Sequence, residues 1–73
     1  MNMQHLLSLC KHANRKANYY LDRMNSFPVF SGKHIDAGVR AEQYITYLHD
    51  LLKEAQATLT HNEYMKLCES IAD

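Results

Sequence analysis

Asn25-Ser26-Phe27-Pro28-Val29-Phe30-Ser31-Gly32 is the stretch on which the fold turns. Pro28 biases Phe27 away from helical backbone, and Gly32 permits the chain to reverse. Helical spacing of apolar residues runs up to this stretch and resumes beyond it, so it reads as the turn of a helical hairpin. Upstream, Met3, Leu6, Leu7, Cys10, Ala13, Ala17, Tyr20, Leu21 and Met24 form one stripe, broken on its flank by Asn14. That spacing predicts a helix over about residues 3–24. Downstream, Asp36 is placed to cap a second helix over about 36–59, with Ala41, Tyr44, Ile45, Leu48, Leu51, Leu52, Ala55 and Leu59 as its stripe. The turn then spans about 25–35. Phe27, Val29 and Phe30 are apolar for a turn; the expectation is that they plug the end of the bundle, the alternative being an exposed contact loop.

Thr60-His61-Asn62-Glu63 matches a capping box, and Leu59 and Tyr64 stand where a hydrophobic staple would close. A third helix over about 61–72 follows, with Tyr64, Leu67, Cys68 and Ile71 on its inner face. The expected fold is all-α: two long antiparallel helices and a short third. At about 1.5 Å per residue the third is roughly half as long as the others. It should leave half of the groove between them open. That open groove is the physical case for a homodimer completing a helical bundle, with Met3, Leu7, Cys10, Leu21 and Met24 as candidate interface residues.

The formal net charge is zero, yet the charge is divided. Residues 1–34 hold Lys11, Arg15, Lys16, Arg23 and Lys33 against Asp22, a net of +4. Residues 35–73 hold Asp36, Glu42, Asp50, Glu54, Glu63, Glu69 and Asp73 against Arg40, Lys53 and Lys66, a net of −4. In a hairpin the basic and acidic halves can meet along their edges and favour one packing. Arg40 and Lys53 dilute the acidic run, which argues against mimicry of nucleic acid.

Seventy-three residues make one small domain. Two glycines and one proline are too few for the turns of an all-β protein. Two cysteines, Cys10 and Cys68, are too few for a disulfide scaffold, and both fall on apolar stripes as core thiols would. Residues 1–10 lack the pattern of a signal peptide, and no apolar run approaches the ~20 residues of a membrane span. The expected setting is cytoplasmic.

Candidate chemistry is sparse. Lys11, Arg15, Lys16, Tyr19 and Arg23 recur along the outside of the first helix, where cations interleaved with an aromatic could hold phosphates. Tyr47, like Tyr19, flanks an apolar stripe as interface tyrosines do. No helix-turn-helix signature accompanies them. Five histidines stand at His5, His12, His34, His49 and His61 without a usual metal-ligand spacing, so no metal is expected. Carboxylates are scattered and Gly32 and Gly38 stand alone, so neither paired acids nor a phosphate loop is available. No enzyme and no cofactor are expected. The function expected is a small protein–protein interaction module, a helical dimer regulating or inhibiting a larger partner, of the type found among accessory proteins of phages and mobile elements. The alternative is nucleic-acid or nucleotide binding through the basic outer face of the first helix.

Overall fold

The computed structural model describes residues 2–72, and these form three helices: α1 (Met3–Ser26), α2 (Gly32–Thr58) and α3 (His61–Ala72). No strand occurs among the described residues. Asn2 starts α1 by accepting from the His5 backbone N–H at 2.8 Å through its side-chain oxygen. Thr60 and Glu63 form the expected capping box. The Glu63 backbone N–H donates to Thr60 Oγ1 at 3.3 Å, and Glu63 Oε1 accepts from the Thr60 backbone N–H at 3.0 Å.

The second helix begins earlier than Asp36. Its cap is Ser31, whose hydroxyl accepts from the His34 backbone N–H at 3.1 Å. Both residues can cap a helix. Starting at Ser31 brings the first turn of α2 against the last turn of α1. There His34, with its proton on Nδ1, donates to the Met24 carbonyl oxygen at 2.9 Å. That carbonyl also accepts from the Phe27 N–H at 3.3 Å, so one end of the hairpin is closed by two bonds to one oxygen. The turn itself is short. The Ser31 N–H donates to the Pro28 carbonyl at 3.1 Å, and Phe30 takes a positive φ of 68°. Gly32 has no positive φ; it is the first residue of α2.

The expected plug is not formed. Phe27 is half-buried, but Val29 and Phe30 are 68% and 86% exposed. Pro28 and the Ser31 cap fix a turn too tight to fold these side chains back under the helices.

The core lies at the other end. Leu6 and Cys10 of α1, Leu51 and Ala55 of α2 and Leu67 of α3 enclose one another, with Leu48, Leu52, Leu59, Tyr64 and Ile71 packed round them. Leu67 is the one buried residue of α3, so a single leucine anchors that helix. Burying a leucine contributes roughly 1.5–3 kcal/mol, and α3 adds its half-buried residues to that.

The helix lengths imply an open groove beyond α3, and the packing there differs. Ala13 and Ala17 of α1 and Ala37 and Ala41 of α2 are 0–4% exposed there. Small side chains let two helices approach until each covers the other's backbone. Gly38 follows Ala37: a Cβ added there would lie 3.2 Å from Met24 Sδ. Small buried residues thus line this part of α1 and α2. Leu21 and Ile45 remain half-buried. Of the expected interface residues, Cys10 is fully enclosed in the protomer core and offers no surface to a second copy. Met3 and Leu7 are half-buried against that core, and Leu21 and Met24 are half-buried elsewhere along α1.

Candidate functional site

Among the described residues no cross-helix ion pair forms. The one ion pair among the described residues is Arg40 Nε to Asp36 Oδ2 at 3.2 Å, one turn apart on α2 and exposed at both ends. An exposed pair of this kind contributes little to stability. The expected meeting of basic α1 with acidic α2 along their edges is absent, and the α1 cations are used differently.

They lie against aromatic rings. Lys16 Nζ and the Arg23 guanidinium stand 5.9 and 5.6 Å from the centre of the Tyr19 ring. Arg23 and Lys33 each stand 5.6 Å from the Phe27 ring, and Arg40 stands 5.9 Å from the Tyr20 ring. The rings are themselves coupled. Tyr20 and Tyr44 stack across the helix pair at 5.9 Å and 11°, Tyr19 meets Tyr20 edge-on at 5.0 Å, and His12 meets Tyr44 edge-on at 6.2 Å. Within about 6 Å a cation is drawn to a ring face by the ring quadrupole, so each pair holds an otherwise mobile side chain in place. Interaction with the Tyr20 hydroxyl, then with the Asp36 carboxylate, raises the Arg40 guanidinium above its ordinary value. It stays charged at any pH the fold survives.

The single basic face expected from α1 is two flanks. At about 100° per residue, Lys11 and Arg15 stand roughly 110° round the helix from Lys16 and Arg23. Lys11 and Arg15 line a shallow groove with Gln4, Leu7, Ser8 and His12. Tyr19, Tyr20 and Arg23 line a separate depression of about 330 Å³ with Asp36 and Arg40 of α2. Tyr47, 45% exposed, lies two turns along α2 from Arg40 and lines neither. In the sequence Lys33 and Arg40 stand only as charges, Phe27 only as a turn residue, and Tyr20 and Tyr44 only as members of the apolar stripes. Their signal was present as a Lys33–Arg40–Tyr44–Tyr47 line at helical spacing on α2, masked because Arg40 counts within an acidic half.

A second surface is apolar. Val29 and Phe30 project at the loop end, and Ile35 and Val39, 54% and 49% exposed, follow one turn apart on the outside of α2. The thiols lie elsewhere. Cys10 is buried and Cys68 half-buried, both free. Burial, then the nearby Cys68, pushes the Cys10 thiol up. Interaction with the neighbouring Cys68 thiol raises the Tyr64 hydroxyl. The histidines are dispersed: His5, His12, His49 and His61 are exposed and His34 serves the hairpin. Among the described residues no three His, Cys, Asp or Glu side chains gather as a metal-binding group. None of the helices is long and apolar enough to cross a membrane.

No protein-family model matches the chain, and neither the curated proteins nor the solved structures compared with it include a match.

Proposed function

We propose that this chain is a non-enzymatic protein–protein interaction module that regulates or inhibits a larger partner by covering part of its surface, and that it presents its loop end to that partner. One observation carries the reading. Phe30 is 86% exposed and holds a positive φ of 68°, a backbone region that disfavours bulky L-residues. A turn with this geometry at its third position is ordinarily filled by Gly or Asn. An aromatic there costs backbone strain and buries almost nothing within the protomer. Strain of this kind collects at sites where a side chain must be presented. With Val29 next to it in the loop and Ile35 in the first turn of α2, both exposed, Phe30 suits an apolar pocket on a protein. Arg23 and Lys33, both against Phe27, suit carboxylates at the rim of that pocket.

Affinity capture from the native host, with mass spectrometry, tests this when run in parallel on the wild-type chain, Phe30→Gly and Met65→Ala. Met65 is 45% exposed on α3, away from the loop. A protein retained by wild type and Met65→Ala and lost with Phe30→Gly is the expected result. Equal retention by all three would place the contact elsewhere. A second copy of the chain is the other occupant this end could take, as a self-associated form of the same module. It would be recovered as a species of doubled mass that Phe30→Gly dissociates.

A further inference from the structure

We propose that the flank formed by Lys16, Tyr19, Tyr20 and Arg23 of α1 with Arg40 and Tyr44 of α2 binds single-stranded nucleic acid. The inference goes beyond the loop-end reading: it shares Arg23 and Lys33 with the rim of that end, but it rests on the flank of Tyr19, Tyr20, Arg40 and Tyr44 and on charge.

Three features of the flank point to a phosphate chain carrying exposed bases. First, the cations are ordered. Lys16, Arg23 and Arg40 each stand within 6 Å of a tyrosine ring, and Lys33 and Arg23 carry the series round Phe27. A guanidinium held on a ring is weakly hydrated and keeps its N–H groups for an anion, so less freedom is lost when a phosphate arrives. Second, carboxylates are scarce. Asp36 alone lines the depression, and it already engages Arg40 at 3.2 Å. The cations are therefore in excess on this flank although the chain as a whole is neutral. Third, the surface is open and runs along the helices. Lys16 and Arg23 are seven residues apart, about 10 Å of helix, and Lys33 extends the line past the end of α1. Small-molecule sites enclose most of their ligand; a shallow track beside a row of cations suits a strand laid along it.

The aromatics decide between single and double strands. Tyr19 is half-exposed within the row, and Tyr47 is exposed two turns beyond Arg40 on α2. Stacking on a tyrosine needs an unpaired base, which a duplex withholds. No helix here is set to enter a groove, since the cations lie between α1 and α2 and not along one free helix face.

Fluorescence anisotropy with a labelled oligothymidylate or oligouridylate of about 15 nucleotides tests the proposal. Three to four phosphate contacts give a salt slope of about −2 to −3, so affinity should fall roughly 20- to 50-fold from 50 to 200 mM salt. Arg23→Glu and Arg40→Glu should each weaken binding at least about tenfold with helicity unchanged by circular dichroism. Lys66→Glu, which changes the charge equally on α3, should have an effect of less than about threefold. Tyr19→Ala should weaken the oligonucleotide about tenfold and leave inorganic polyphosphate unaffected. Phe30→Gly should bind as wild type does, which separates failure here from failure at the loop end. No complex at 50 mM salt would overturn the proposal. So would equal affinity for a duplex and for polyphosphate with no effect of Tyr19→Ala, because that marks an unselective polyanion surface.

Discussion

Phe30 combines two unfavourable properties, and each can be measured. Its φ of 68° costs about 1–2 kcal/mol for a residue with a Cβ. Its ring, 86% exposed, regains little through burial. Phe30→Gly removes the strain and adds back some unfolded-chain entropy. Urea denaturation should therefore show a gain of about 0.5–1 kcal/mol. A loss instead would mean that the ring supports the fold, which would leave its exposure without a functional meaning. The capping box gives the opposite sign. Thr60→Ala should cost about 1 kcal/mol. The Thr60 backbone N–H, then its hydroxyl, holds the Glu63 carboxyl below its ordinary value of 4.5. A carboxyl whose folded pKa lies below its unfolded one stabilises fully above the unfolded value and ceases to do so as pH falls through the folded one. The stability difference between wild type and Glu63→Gln should accordingly shrink from pH 7 toward pH 3. The box was legible from Thr60 and Glu63 because both partners lie within four residues. The strained position was not. Gly32 stands two residues beyond it, and only the hydrogen bond from Ser31 to Pro28 reveals which residue must take the positive φ.

At the scale of elements, the helices follow from their apolar spacing, but how two of them meet does not. The stripe of α1 contains Ala13 and Ala17, and that of α2 contains Ala37 and Ala41. Read as a pattern, alanines count as apolar and no more. In three dimensions they are the buried residues of the part of the hairpin beyond α3. Ala41→Leu should force the packing apart and cost about 1–3 kcal/mol or more, since a well-packed contact has no room for added methylenes. Leu67→Ala acts at the other end. Its side chain is fully buried and it is the one enclosed residue of α3, so a loss of about 2–5 kcal/mol is expected. Hydrogen exchange in that variant should rise first in α3, with α1 and α2 protected longer. The start of α2 was misplaced for a related reason. Ser31 and Asp36 both have capping side chains, and tertiary contact chooses between them through His34 and the Met24 carbonyl. Asp36 is left free to pair with Arg40.

The whole molecule is a rod of 44 × 20 × 16 Å with a Cα radius of gyration of 14.2 Å. A compact chain of this length would have about 11 Å. The elongation comes from two long helices whose small-residue half stays thin while α3 thickens the other half. This shape decides what the chain can do with its surfaces. The loop end is apolar and narrow, the cationic flank runs beside it, and Asp50, Glu54 and Glu63 stand toward the end where α2 gives way to α3. A stable dimer buries about 800 Å² on each partner. The exposed parts of Val29, Phe30, Ile35 and Val39 fall short of that. Sedimentation equilibrium at about 10–100 μM should therefore report the protomer mass of 8.5 kDa. A doubled mass abolished by Phe30→Gly would assign the loop end to self-association. A doubled mass that survives Phe30→Gly but is lost with Leu21→Asp would return the interface to the side of the hairpin beyond α3, where Leu21 and Ile45 are half-buried.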